Sequence, residues 1–199
     1  VSTTDRVERV SIIPAGGAGG YTAFKPNEDI YFKTKNQLLA EIKMALGGRA
    51  AEDLVFGEIS TGAGADLKEV NRIARSMVTK YGMSDRLGNV VTGNEDEVFI
   101  GRDYGHVVNH SEALQAAIDE EIARILDEAY QETMGILTVN RQLLDALSSN
   151  LLEKEKIESE EFESIYQAHA VDPKPLPGEG AVDVQLTPEE VIAPMQEEA

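Results

Sequence analysis

The 199-residue chain contains no cysteine, and this absence excludes two kinds of site. Without thiols the protein forms neither disulfide bonds nor thiolate-ligated metal centres. No run of apolar residues approaches the roughly 18–20 that a helix needs to span a bilayer. The first ten residues also lack the basic-then-apolar pattern of a secretory signal. With 42% hydrophobic residues, the composition predicts one globular domain with its own core.

Basic residues are scarce, because 18 Lys and Arg stand against 36 Asp and Glu, for a formal charge of −18. Binding to nucleic acid depends on neutralising phosphates, so we expect no nucleic-acid partner. Part of the acidic excess is local, since residues 171–199 carry seven acids, five prolines and a single lysine. This composition predicts an acidic, Pro-rich, disordered tail over residues 169–199.

Two familiar ligand-binding motifs are missing. The Gly-rich segment 58–65 contains no Gly-Lys-Ser/Thr, so it does not match a phosphate-binding loop and does not support ATP binding. His106 and His110 have the i, i+4 spacing of a zinc-binding pair, but the Glu of an HExxH motif is absent. The neighbouring Gly105 and Asn109 favour a loop at this position. The pattern therefore does not favour a zinc site on this pair.

Two short apolar segments near the N-terminus predict a small β-layer. Residues 7–13 and 21–24 have the composition of strands, with the Gly-rich stretch 15–20 between them and Pro26 after the second. The Gly-rich flanks favour an exposed edge. Such an edge could be merely unprotected, or it could bind an extended peptide as an added strand.

Most of the remaining chain has helical periodicity, so we expect a mainly α fold, a helical bundle beside the small β-layer. Thr34 and Gln37 resemble a capping box, and Gly57 is a typical helix stop. Gly47 and Gly48, inside the first helix, indicate close packing against another backbone. The predicted helices cover about 35–56 and 66–81, a long segment from about 111, residues 140–152, and a short segment after Ser159; a short strand is predicted at 98–100.

The apolar stripes of these helices are the predicted core. On the long helix the acids, Glu121 among them, are expected to face mostly solvent. The residues expected to be buried are Leu38, Leu39, Ile42, Ala45, Leu46 and Ala50 in the first helix, Leu67, Val70, Ala74, Met77, Val78 and Tyr81 in the second, Leu114, Ile118, Ile122, Ile125, Ala129 and Met134 in the third, and Leu143, Leu144, Leu147 and Leu151 in the fourth.

Asp66 stands where the second helix is predicted to begin. A helix N-terminus favours negative charge, so a carboxylate there is well placed. It could cap the helix or bind something cationic. From the residues alone both interpretations remain open.

Four segments, in this order, carry a family resemblance: SIIPAGGAGGYT, LGGRAAEDLVFGEISTGAGADL, ARSMVTKYGMSDRLG and IGRDYGHVVNHSE. They resemble the peptidase domain of FtsH-type, membrane-anchored AAA+ zinc metalloproteases. The resemblance covers residues 1–168. It implies a helical bundle-like metallopeptidase domain with a small β-layer near its N-terminus.

The resemblance also implies site residues. In the family, zinc is held by two histidines of HExxH and by a later aspartate, which corresponds to Asp66 here, and the Glu of HExxH is the general base. Arg49 and Glu52 are expected to support the metal ligands or to pack the zinc-site helices. The substrate-binding strand corresponds to Gly17, Ala18, Gly19, Gly20, Tyr21 and Thr22.

No HExxH occurs in this chain. The resemblance implies that this motif lies shortly before the first residue, so that the chain is the C-terminal part of the enzyme. It places the transmembrane segments and the AAA+ module, which binds ATP and magnesium, further upstream. We therefore expect the isolated chain to be inactive. The alternative is a non-catalytic scaffold or assembly domain of an FtsH-like oligomer.

The family further implies a homo-hexamer that degrades unfolded and membrane proteins. Only the absent upstream segments would contact the membrane. This domain would face the cytoplasm, or the matrix or stroma of an organelle.

Overall fold

The computed structural model describes residues 6–14, 19–25, 32–88 and 112–171. Within these ranges the chain forms five helices and one three-stranded antiparallel sheet. This confirms the predicted fold class, mainly α with a small β-layer near the N-terminus. The elements are β1 (Arg6–Ser11), β2 (Tyr21–Lys25), α1 (Lys35–Phe56), α2 (Gly64–Thr79), α3 (Glu112–Val139), α4 (Arg141–Lys154), β3 (Lys156–Glu158) and α5 (Ser159–His169).

Both ends of α1 are determined by local hydrogen bonds. The backbone N–H of Gln37 donates to Thr34 Oγ1 at 3.3 Å, and the backbone N–H of Thr34 donates to Gln37 Oε1 at 2.8 Å. At the other end Gly57 has φ +65°, a conformation that costs glycine little, and its N–H donates to the Asp53 carbonyl at 2.9 Å. The predicted capping box and stop signal are both confirmed.

Helices α1, α2 and α3 pack on one another and enclose the main core. The predicted apolar stripes of these three helices meet there, together with Ile73, which lies outside the predicted set. The predicted stripe of α4 does not belong to this core, since no residue of α4 is fully buried; Leu143, Leu144, Leu147 and Leu151 are only partly buried, as is Met134 of α3. Tyr81 is 57% exposed. Because α2 ends at Thr79, Tyr81 lies beyond the helix and leaves its buried face.

The sheet forms a second layer with α4 and α5. Its strand order is β2-β1-β3, so β1 pairs with a segment that follows it by almost 150 residues. Ile157 in β3 lies opposite Val10 and is fully buried. Strand β3 is not among the elements predicted from the sequence. Within the described part of the chain the outer edge of β2 has no partner strand, which confirms the predicted exposed edge.

Two expectations about individual positions are wrong. A Cβ added to Gly47 or Gly48 would meet no described atom within 4 Å, so these glycines do not pack closely against another backbone here. Glu121 does not face solvent, because its side chain is 0% exposed between α3 and the turn after α2.

Some predictions fall outside the described residues. These are the strand at 98–100, the histidines His106 and His110, and the tail beyond residue 171. No helix among the described residues combines the length and apolar character needed to cross a membrane.

Candidate metal and substrate site

Asp66 lies in the first turn of α2, two residues after the helix begins. The N-cap position belongs to Ala63, and no side chain caps this helix, so the interpretation of Asp66 as the cap is wrong. Its side chain is exposed, and its carboxylate makes no hydrogen bond or ion pair with another described residue. An unpaired carboxylate at the positive end of a helix remains available to a cation.

Glu52 anchors the loop that leads to Asp66. One of its carboxylate oxygens accepts the backbone N–H of Ser60 at 3.0 Å, and the other accepts the Ser60 hydroxyl at 2.7 Å. Ser60 Oγ in turn accepts the N–H of Gly62 at 3.1 Å. These hydrogen bonds from Ser60, and secondarily the charge of Arg49, hold the pKa of Glu52 below its ordinary value. The loop before α2 is thus attached to α1.

Arg49 lies one turn earlier on α1, beside a cavity of about 450 Å³ that Asp53, Ile59 and Tyr130 also line. The Tyr130 hydroxyl donates to Asp53 Oδ2 at 2.7 Å, and this hydrogen bond, with burial, raises the pKa of Tyr130. Asp66 is not among the lining residues of the cavity. Arg49 therefore belongs to the contact between α1 and α3 and acts on Glu52 through its charge.

The predicted substrate-binding residues that the structure describes lie at the exposed edge. A Cβ at Gly20 would come within 2.6 Å of the Ser11 carbonyl oxygen, so only glycine permits this approach of the chain to β1. Tyr21 and Thr22 begin β2 and are both exposed. Gly19 is exposed, whereas Gly17 and Ala18 lie outside the described residues.

The two parts of the predicted site lie in different layers. Helix α2, which carries Asp66, packs on α1 and α3, whereas β2 packs on β1. The structure brings Glu52 together with the loop before Asp66. Among the described elements, α2 does not pack directly on β2 and reaches the sheet only through α3 and α4.

The described residues fit zinc only in part. A carboxylate oxygen is a common zinc ligand, at about 2.0–2.2 Å from the metal. Asp66 is therefore suited to be one ligand. However, the described ranges contain no group of three or more His, Cys, Asp or Glu side chains that could hold a metal ion. Any complete site needs ligands from elsewhere.

Two sets of residues near the candidate site are not among those predicted from the sequence. Ser60 appeared only as part of a Gly-rich connection, although the spacing of Ser60 after Glu52 across the helix stop is a signal that could have suggested a contact. Arg9 and Glu158, which pair at 2.9 Å on the face of the sheet next to Tyr21, are 149 positions apart and have no local signal.

Comparison with known proteins identifies relatives over most of the chain. The sequence model of Peptidase family M41 matches residues 1–165. The chain is 56% identical over 168 residues to the ATP-dependent zinc metalloprotease FtsH of Ruminiclostridium cellulolyticum, which is 84% of this chain and 27% of that protein.

The proteins of the same name from Veillonella parvula and Bacillus subtilis are 48% and 43% identical over 164 and 175 residues, 82% and 87% of this chain. The match covers 26% of the Veillonella protein and 27% of the Bacillus protein, so the chain spans about a quarter of these relatives' length. A family model that matches most of the sequence, together with these relatives, shows that the chain belongs to peptidase family M41.

Proposed function

We propose that this chain forms part of the peptidase domain of an ATP-dependent zinc metalloendopeptidase that degrades unfolded and membrane proteins, with Asp66 as a zinc ligand. The observation that carries the proposal is the exposed, unpaired carboxylate of Asp66 in the first turn of α2. It lies within the STGAGADL segment of a chain that belongs to peptidase family M41. Relatives named as zinc metalloproteases support the choice of metal.

In this proposal each part of the described site has its own task. Asp66 offers a carboxylate oxygen to the metal, while Glu52 and Ser60 hold the loop that precedes it. Arg49 adds positive charge beside Glu52. When bound, zinc supplies the Lewis acid for peptide hydrolysis. The other two ligands and the general base come from an HExxH segment outside this sequence.

The edge of β2 is the proposed binding site for the substrate backbone. An extended polypeptide that pairs with this edge uses main-chain hydrogen bonds, which do not depend on sequence. This mode suits an enzyme that acts on many unfolded proteins. Gly20 supports it by allowing the turn before Tyr21 to lie close against β1.

The proposal extends to the whole protein. We propose a homo-hexamer that is anchored in a membrane by segments outside this chain. Its peptidase domain, residues 1–168, faces the cytoplasm or an organelle matrix or stroma. An AAA+ module elsewhere in the protein binds ATP and magnesium. Residues 169–199 follow this proposed domain and are acidic in composition, and the net charge of −18 argues against a nucleic-acid partner.

The test is Asp66→Ala in a full-length protein that carries this sequence. We expect zinc content and proteolysis of casein both to fall. Loss of a residue that only orients a metal ligand typically costs roughly 10–100-fold in activity, and loss of the ligand itself should cost more. ATP hydrolysis serves as the measure of intact folding and assembly.

Glu69→Ala is the matched control, because Glu69 is an exposed acid on the same helix that pairs with Arg72. We expect this variant to retain zinc and activity. If Asp66→Ala also retained both, the assignment of Asp66 would be wrong.

A second candidate function is a non-catalytic scaffold or assembly domain of an FtsH-like oligomer. It is favoured by the absence of HExxH from the sequence and of a complete metal cluster from the described residues. The sequence of the full-length protein distinguishes the two, since a protein without HExxH anywhere would leave only the scaffold function.

A further inference from the structure

One face of the small sheet presents a row of three side chains that ends at the exposed edge. Residues directly opposite each other in an antiparallel pair share a face, and residues two apart along a strand share it as well. Arg9 lies opposite Glu158 of β3 on one side and opposite Ala23 of β2 on the other. Tyr21 lies opposite Ser11, two positions along β1 from Arg9. Tyr21, Arg9 and Glu158 are therefore neighbours across this face.

The row is connected by polar contacts. Arg9 Nε donates to both carboxylate oxygens of Glu158 at 2.9 Å. The pKa of Arg9 is raised, first by this hydrogen bond and then by its interaction with Tyr21. Arg9 is therefore bound to Glu158 on the far strand of the sheet and lies diagonally next to Tyr21 on the edge strand, within reach of its side chain.

The row is also accessible. The Arg9 and Glu158 side chains are 44% and 47% exposed, and Tyr21 is 44% exposed. The opposite face carries Val10 and the fully buried Ile157. A strand added to the outer edge of β2 would place every second side chain on the accessible face, beside the ring of Tyr21.

We propose that the Arg9–Glu158 pair positions Tyr21 as a selectivity-determining side chain, which favours a large apolar or aromatic residue over a small one where the substrate strand passes Tyr21. Aromatic pairs are among the most favourable cross-strand contacts. A ring restrained by the neighbouring Arg9 side chain would lose less rotational freedom when a substrate side chain packs against it. The pair is electrically neutral overall, so it adds selectivity for shape rather than for charge. This inference rests on the proposed role of the β2 edge in binding substrate.

The test uses the 199-residue chain and a set of dye-labelled, extended decapeptides that are identical except for one central residue, Phe, Leu or Ala. Dissociation constants are measured by fluorescence anisotropy. Hydrogen exchange of the Tyr21, Thr22 and Ala23 amides reports whether the peptide pairs with β2. Thermal unfolding of each variant reports whether it is folded.

We expect the chain to bind the Phe peptide more tightly than the Ala peptide, by up to about fivefold, the range of cross-strand pairs. Arg9→Gln and Glu158→Gln are expected to reduce this ratio to near one while leaving the affinity for the Ala peptide almost unchanged. Tyr21→Phe keeps the ring but removes the hydroxyl, so it should also lower the ratio, and adding Arg9→Gln to it should cause no further change. If Arg9→Gln acted only by lowering stability, its effect would add to that of Tyr21→Phe. If it acts by positioning the ring, the double variant should show no further change.

The matched control is Glu163→Gln, which breaks the ion pair between Glu163 and Arg6 at the opposite end of β1. It is expected to keep the wild-type ratio. If the peptides protect β2 but Arg9→Gln and Glu158→Gln keep the wild-type ratio, the inference is wrong and the edge function stands. If no peptide protects β2 in the wild-type chain, the proposed edge function is overturned and the inference falls with it.

Discussion

At the scale of single residues, the carboxylates near the start of α2 have different tasks. Both carboxylate oxygens of Glu52 accept hydrogen bonds from Ser60, whereas the carboxylate of Asp66 has no described partner. A paired carboxylate positions a loop, and an unpaired one remains available to a cation. This difference is the reason for assigning the metal to Asp66 and the supporting role to Glu52.

Glu52→Ala should therefore loosen the loop without removing a ligand. We expect the Ser60 amide to exchange faster because it loses its acceptor, and the Gly62 amide to exchange faster because its acceptor, Ser60 Oγ, is no longer held by Glu52. In the full-length protein, zinc affinity should fall by roughly 10–100-fold, the usual cost of losing a residue that orients a ligand. Hydrogen exchange and metal titration measure the two effects. Glu58→Ala, at another exposed acid nearby, is the control, and unchanged exchange in Glu52→Ala would contradict the anchoring role.

The hydrogen bonds between Glu52 and Ser60 should also depend on pH. Because the folded pKa of Glu52 lies below its ordinary value of 4.5, the hydrogen bonds stabilise the folded loop above pH 4.5 and are lost as the pH falls through the folded pKa. Protection of the Ser60 amide should decrease over that acidic range in the wild type and not in Glu52→Ala.

At the scale of elements, a buried carboxylate joins the end of α2 to α3. Glu121 accepts the hydroxyl of Ser84 at 2.9 Å and two hydrogen bonds from Arg124 at 2.8 Å. Ser84 Oγ accepts the backbone N–H groups of Arg86 and Leu87, at 3.2 and 2.9 Å. The turn after α2 is therefore folded around a side chain of α3.

Glu121→Ala should destabilise the protein by about 3 kcal/mol, because it leaves the buried Ser84 hydroxyl and one side of Arg124 without an acceptor. The shift in the urea midpoint measures this loss. Glu128→Gln is the control, since Glu128 binds the same arginine at an exposed position, where ion pairs contribute about 0–1 kcal/mol. Equal midpoints for the two variants would contradict the special role of Glu121.

The buried carboxylate of Glu121 should also make part of the protein's stability sensitive to acid. Arg124, and then Ser84, lower the pKa of Glu121 below its ordinary value. The contribution is therefore complete above pH 4.5 and is lost as the pH falls through the folded pKa, so Glu121→Ala should reduce the pH dependence of the urea midpoint in that range.

Elements differ in how far local sequence specifies them. The bounds of α1 follow from Thr34, Gln37 and Gly57, whose effects reach only a few residues. Strand β3 has three residues and exists because β1 pairs with it across the fold. No local pattern encodes such a partner, so the residues around β3 do not predict this strand.

At the scale of the whole molecule, the described residues contain Asp66 and the proposed substrate edge in separate layers, and they contain no complete metal cluster. We therefore expect the isolated 199-residue chain to show no zinc-dependent hydrolysis of casein, whereas the full-length protein is active. The assay compares both with added zinc and with a chelator. Robust, chelator-sensitive cleavage by the isolated chain would refute this expectation.

The sequence by itself determined the helices and the family, because caps and 3.6-residue periodicity act locally and several motifs occur in one order. It also singled out Asp66. Only the tertiary structure decided which acids are anchored and which are free. Glu52, Asp66 and Glu121 all lie on helices and look alike in sequence. Their roles differ because folding gives them different partners. Glu52 binds Ser60, Glu121 binds Ser84 and Arg124, and Asp66 has no described partner.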